Sequence, residues 1–155
     1  MPLLIHKIPN PHLIKELSFE LLNDKEASLI VDLVLKMENL KKLVLKTNGY
    51  YCPPSKEMMR LVLGLKHMIH IDVNNMAMCD KKGQIDAAMD VLVDNNPDLE
   101  YIDFQFWTFT DKCMKSLSRL QRLQEVRYNA SSLTSDGILC LLKGRSRKTL
   151  RMVGD

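Results

Sequence analysis

The side chains that could move protons or bind a metal are few in this 155-residue chain. Asp72 and Asp103 could act as paired carboxylates, with His70 as a base close to the first of them. Two carboxylates in one site split their pKa values and can share acid–base duty. Such chemistry also needs a closed pocket that excludes water, so the elements carrying these residues decide the matter. The four cysteines, Cys52, Cys79, Cys113 and Cys140, form no C-x-x-C pair, and the nearest two are 27 residues apart. Structural zinc draws on ligand pairs roughly two to four residues apart. His67 and His70, close together on or near a strand, point to opposite faces. No metal and no cofactor is therefore expected.

What positions these residues is a recurring frame, apolar-x-x-apolar-x-apolar. It runs Leu40-x-x-Leu43-x-Leu45 and returns at Ile14-x-x-Leu17-x-Phe19, Met68-x-x-Ile71-x-Val73, Leu99-x-x-Ile102-x-Phe104 and Leu123-x-x-Val126-x-Tyr128. A frayed sixth copy is Leu150-x-x-Val153, and successive starts lie 26, 28, 31, 24 and 27 residues apart. One strand pattern repeated at about 20–29 residues marks a solenoid of strand-plus-helix units. Each unit buries its face against its neighbours, so five or six suffice where one would not.

Helices fit between the strands. Asn23-Asp24-Lys25-Glu26 reads as an N-cap with Glu at the capping-box position, and Ile30, Leu33, Val34 and Met37 share one face. Asn48-Gly49 is a turn signal. Ser55 caps a helix with Met58, Leu61, Val62 and Leu65 inward, and Ile85, Ala88, Met89 and Leu92 mark the next. An extended loop, residues 74–83, precedes that third helix, and Asn95-Asn96-Pro97 ends it. Thr110-Asp111 opens a helix carrying Cys113, Met114 and Leu117. Leu133-Thr134-Ser135-Asp136-Gly137 opens another with Ile138, Leu139 and Leu142, which makes Asp111 and Asp136 equivalent, and Gly144 suits its C-terminal cap. Residues 1–13, with Pro2, Pro9 and Pro11, read as an irregular lead-in, and 14–155 as one repeat domain.

The strand frame, the Thr-Asp helix start and the period resemble long-type leucine-rich repeats. The nearest kinds are ribonuclease-inhibitor-like repeats and the cysteine-containing repeats of F-box receptors. Phe109-Thr110-Asp111 with Leu117, and Leu133-Thr134-Ser135-Asp136-Gly137 with Leu141-Leu142, carry the likeness most specifically. The resemblance implies an α/β solenoid, a horseshoe with parallel strands on its concave face, helices on its convex face, and protein–protein recognition without catalysis. The family places Asn or Cys three residues past the last strand position. Only Asn48 matches; Leu22, Met76, Trp107 and Ser131 stand elsewhere, so irregular turns are expected. Residues 1–13 are not expected to hold a helical F-box, and the incomplete sixth frame is expected to leave an edge where a capping repeat would stand.

Strand residues alternate between faces. The apolar frame points inward, so the concave face takes Glu16, Ser18 and Glu20; Lys42, Val44 and Lys46; His70, Asp72 and Asn74; Tyr101, Asp103 and Gln105; and Glu125, Arg127 and Asn129. These rows are expected to form one continuous grid. From them Lys42, Lys46, His70, Asp72, Asn74, Tyr101, Asp103, Gln105, Glu125, Arg127 and Asn129 form the candidate partner-binding set. Arginine and aromatic side chains are common interface anchors, and Tyr101 and Arg127 lie here. Tyr50, Tyr51, Phe106, Trp107 and Phe109 could be an exposed anchor patch, although aromatics after a repeat strand more often fill the convex layer.

The partner expected is a protein. It is a substrate of an SCF-type ubiquitin ligase in one reading; in others the chain is an adaptor or assembly factor, or a ribonuclease-inhibitor-like enzyme blocker. A net charge of +3 from 22 basic and 19 acidic residues with interspersed signs gives no footprint for nucleic acid. Gly144-Arg145-Ser146-Arg147-Lys148 has no aromatic platform nearby and reads as a solvated turn. No run of about 18 apolar residues suggests a membrane span, and residues 1–7 lack the basic leader of a signal peptide. Cysteines packed in helices as small apolar residues point to the reduced cytosol or nucleus. A monomer is expected, or one whose open ends a partner caps.

Overall fold

The computed structural model describes residues 8–47, 52–53, 55–73, 84–143 and 150–154, without the side chains of Gln84 and Phe106. Its strands are β1 (Glu16–Leu21), β2 (Lys42–Thr47), β3 (His70–Asp72), β4 (Tyr101–Thr110), β5 (Glu125–Ser132) and β6 (Arg151–Gly154). Its helices are α1 (Asp24–Val34), α2 (Ser55–Gly64), α3 (Gln84–Asn95), α4 (Asp111–Leu117) and α5 (Ser135–Leu142). The architecture is α/β: one parallel sheet whose spatial order is the sequence order, β1-β2-β3-β4-β5-β6, with each helix packed on the next. Asn48, Gly49, Tyr50, Tyr51, the 74–83 loop with Cys79, and Gly144 to Lys148 lie outside the described residues.

The apolar frame explains the burial. Leu43, Leu45, Ile71, Val73, Ile102, Phe104 and Val126 are fully buried, together with Ala27, Ile30, Val31, Met58, Leu61, Ile85, Met89 and Leu92 of the helices. One core therefore fills the space between sheet and helices, and the opposite sheet face stays open. Leu17 and Phe19 are only partly buried; among the described residues β1 pairs with β2. Each unit joins the next at one rim through a shared carbonyl: Lys15 accepts from the N–H groups of Lys41 and Lys42, Lys41 from Ile69 and His70, Ile69 from Glu100 and Tyr101, Glu100 from Gln124 and Glu125.

Several boundaries differ from the sequence reading. A 3-10 turn, Pro11–Leu13, delays β1 to Glu16–Leu21 where 14–19 was expected. Asn23 caps α1 by accepting from the Glu26 N–H, but the Glu26 carboxylate reaches back to the Leu22 N–H at 3.0 Å, one residue beyond the usual capping-box partner. The caps of α4 and α5, Thr110 and Thr134, have nearly identical backbone angles, −108°/170° and −107°/168°. Asp111 is therefore equivalent to Ser135, and Asp136 stands one residue further into its helix. Asp111 instead reaches forward to accept from the Thr134 N–H and hydroxyl at 2.9 and 2.6 Å. Gly137 admits it, since a Cβ there would lie 2.2 Å from the Asp111 carboxylate. On α5 it is Gly137 and Leu141 that are buried, while Leu139 and Leu142 are exposed.

Asn96 is the polar member of an otherwise apolar column. The residues three before the second to fifth frame starts are Met37, Leu65, Asn96 and Leu120, and all four are buried. Its amide donates to the Leu65 and Leu92 carbonyls at 3.0 and 2.7 Å, and its oxygen accepts from the Met68 N–H at 2.8 Å. Buried polar groups need such partners, and here they tie the end of α3 to the preceding turn.

Candidate functional site

Strand register sets two rows on the open face. One is Glu16, Lys42, His70, Tyr101, Glu125 and Arg151; the next is Ser18, Val44, Asp72, Asp103, Arg127 and Val153. Val153 was expected opposite Val126, but Met152 takes that inward place and Val153 pairs with Arg127. The third row begins with Glu20 beside Lys46 and then breaks. β4 bulges after Phe104, so Thr108 and not Gln105 stands opposite Asn129. The continuous grid fails at that row because Trp107, fully buried, turns into the core. Asn74 lies outside the described residues.

Over β3–β5 the face is locked. His70 and Tyr101 stack with ring centroids 4.1 Å apart and planes 4° from parallel. The Arg127 guanidinium sits 5.9 Å from the centroid of the Tyr101 ring. Its Nε donates to Glu125 at 2.8 Å and lies 3.9 Å from Asp103. Arg151 reaches the other Glu125 oxygen at 3.8 Å. The Tyr101 hydroxyl donates to Asp103 at 3.4 Å, and the Gln105 N–H donates to the same carboxylate at 3.1 Å.

Asp103 departs from the expectation of a solvent-facing residue: it is 1% exposed. Burial raises its pKa above the usual carboxylate value, the Gln105 N–H opposes this, and Asp72 on the neighbouring strand adds to the rise. Burial and then Asp103 push the Tyr101 phenol up to about 12, so it stays a donor. Burial and then Lys42 lower the His70 pKa, so its ring is neutral at pH 7.

Beside the stack, a depression of about 360 Å³ opens at the rim among Ile69, Glu100, Gln124, Glu125 and Arg151. Glu100 and Arg151 were not in the expected set. The frame set Val153 opposite Val126 and so Met152 beside Glu125, which hid Arg151; Glu100 precedes its strand and nothing in the frame singles it out. Over β1–β2 the face is loose. Glu16 faces Lys42 and Glu20 faces Lys46, yet none of the four has an ion pair within 4.0 Å among the described residues.

The helix side carries interlocks. Arg60 bridges Asp32 and Glu57, Arg119 bridges Asp90 and Asp94, and Thr110 donates to Asp86. Cys113 is buried there, its thiol 3.3 Å from Asp86, and burial raises its pKa to about 12. Cys113 and Cys140 are free thiols. Trp107 and Phe109 fill the core in place of the exposed anchor patch; Tyr50, Tyr51 and the Phe106 side chain are outside the described residues. Among the described residues no three His, Cys, Asp or Glu side chains gather as a metal site, and no helix is long and apolar enough to cross a membrane. The chain matches no protein-family model, and no curated protein matches it.

Proposed function

We propose that this chain is a leucine-rich-repeat solenoid that binds a protein partner, without catalysis, on the open, concave face of its sheet. The observation that carries the reading is the His70–Tyr101–Arg127–Glu125–Asp103 network. It holds a tyrosine and an arginine, both frequent energetic anchors, in one fixed arrangement before any partner arrives. Preorganised side chains lose less entropy on binding. The carboxylates suit docking better than acid–base catalysis: Asp103 is sealed under its donors, and His70 is committed to a ring stack. Substrate recognition for an SCF-type ubiquitin ligase in the cytosol or nucleus is one form of this role; an adaptor, an assembly factor or an enzyme blocker is another.

The test is affinity capture from source cells with wild type beside Tyr101→Ala/Arg127→Ala, read by mass spectrometry, then binding measured with the purified captured protein. A loss of at least tenfold in affinity with an unchanged circular dichroism spectrum supports the face as the site. Equal affinity for both baits removes it. Charge reversal at Asp103 is unsuitable, because a buried carboxylate replaced by a cation would disturb folding itself.

A further inference from the structure

The described arginines and lysines divide the work. Arg60, Arg119, Arg122, Arg127 and Arg151 each make an ion pair, whereas no lysine among the described residues makes one within 4.0 Å. Four of these lysines gather at the rim where the first three units meet. The Lys15 carbonyl accepts from the Lys41 and Lys42 N–H groups at 2.7 and 3.0 Å, which sets all three at the starts of adjacent strands. Lys66 precedes His67, whose carbonyl accepts from the Lys41 ammonium at 2.9 Å. Lys15, Lys42 and Lys66 are exposed, and Lys41 is half-buried.

Lys41 is held in place. His67 has a φ of 59°, in the left-handed region that few residues with side chains adopt. Its N–H donates to the Asn95 carbonyl while its own carbonyl takes the ammonium. One turn earlier the Asn39 amide donates to the His12 carbonyl at 2.7 Å. The rim is stapled turn to turn, and the Lys41 ammonium is fixed by a neutral oxygen that leaves its charge uncompensated. Burying part of a cation in this way costs stability, and a carboxylate brought by another molecule offsets that cost through a charge-assisted bond.

Adjacent strands lie about 4.8 Å apart, inside the Debye length of about 8 Å at physiological salt, so the fields of these lysines add. The acids among them are Glu16 and Glu38, both exposed, and four cations against two anions leave this rim positive. The glutamates also select the kind of partner. A nucleic acid carries phosphate at every nucleotide and would set some of it against Glu16 and Glu38. A polypeptide can put carboxylates over the lysines and neutral residues over the glutamates. Beside the lysines a hollow of about 750 Å³ opens between the turns that follow α1 and α2, lined in part by Leu35, Leu63, Glu38, Lys66 and His67. Both leucines are exposed, so the hollow suits an apolar side chain.

We infer that the rim of Lys15, Lys41, Lys42 and Lys66 binds an acidic segment of a partner protein, with carboxylates on the ammonium groups and one apolar side chain in the hollow. This surface does not use the Tyr101–Arg127 network, so it stands or falls apart from the face proposed above.

The probe is a displayed library of peptides of about 12 residues, selected on the full chain. The chosen peptides are then titrated beside a single-stranded RNA of similar length and vesicles of phosphatidylserine and phosphatidylcholine. Lys15→Gln/Lys41→Gln/Lys66→Gln is compared with Lys25→Gln/Lys112→Gln/Lys115→Gln, which removes the same charge from the helix side. Lys15→Gln/Lys66→Gln leaves the Lys41–His67 bond in place and repeats the test without touching the turn. The expected peptides are rich in Asp and Glu around one apolar residue. They should bind the triple rim variant at least tenfold more weakly, the double variant at least threefold more weakly, and the helix-side and Tyr101→Ala/Arg127→Ala variants within twofold of wild type. Peptides without acidic enrichment, or equal losses on the rim and helix-side variants, overturn the inference. Loss on Tyr101→Ala/Arg127→Ala would move the peptides to the face and overturn the rim. RNA or vesicles held by the rim more tightly than every selected peptide overturn the protein partner.

Discussion

The two halves of the open face are built from the same strand pattern and behave differently. On β1–β2 the charges face one another in register, Glu16 with Lys42 and Glu20 with Lys46, and remain apart. On β3–β5 the side chains close into a network around a buried carboxylate. The difference comes from side-chain type. Long, flexible lysines and glutamates in water gain little from pairing, because ordering them offsets the attraction. Planar rings and a guanidinium lose less on ordering and stack. A polar sheet face therefore becomes preorganised where aromatics and arginine occur in adjacent register, and charge alone does not achieve it.

The largest expected effect tests whether the looseness of β1–β2 stops at its outer surface. Leu43, on the inward side of β2, is fully buried, and Leu43→Ala should cost about 2–5 kcal/mol in urea unfolding. A change near zero would mean that β2 is loose on both faces. Next, Tyr101→Ala removes the centre of the locked half and should cost about 1–2 kcal/mol, as its stacking and burial are lost. A cost below that range would reduce the network to a surface ornament.

Third is a pH dependence that the locked half alone should show. The folded-state pKa of Asp103 is raised from 3.8, by burial first, so the folded chain holds this proton more tightly than the unfolded one. That contribution to stability is fully present below the ordinary carboxylate value and is lost as pH rises through the folded value. Relative to wild type, Asp103→Asn should therefore gain stability as the pH is raised from about 3 toward neutrality. A flat difference across that range would show that Asp103 is not desolvated. Smallest is Lys42→Ala/Lys46→Ala, which should leave stability within about 0.5 kcal/mol of wild type. A larger loss would reveal pairing and erase the contrast between the halves.

Much of the fold was legible because the frame repeats. A single apolar pattern read five times located the strands, helical spacing between its copies located most inward helix residues, and the parallel arrangement was what the resemblance implied. The bulge in β4 was missed because Phe106 disguises it. Inward positions run Ile102, Phe104 and then Trp107, Phe109, a change of phase that usually marks an extra residue. With Phe104-Gln105-Phe106 the alternation looks unbroken. The candidate site was legible as rows of residues but not as a network. Which of two aspartates sinks beneath a tyrosine depends on its neighbours across strands, and Asp72 and Asp103 look alike in sequence.

Asn96 bears on how such a chain finds its own order. Units that resemble one another invite stacking out of step, with a helix settling beside the wrong neighbour and an apolar column that fits nearly as well. A column of Met37, Leu65 and Leu120 alone would accept the error. Asn96 does not fit every turn equally: the Met68 N–H is given to its side chain, whereas the matching Leu40 and Leu99 N–H groups already donate to the Met37 and Asn96 carbonyls, so beside such a turn its side-chain oxygen would be buried short of a donor, at about 1–3 kcal/mol. One polar side chain thus acts as an index mark that penalises a slipped assembly, holding the middle of the stack in phase while the units on either side add to it.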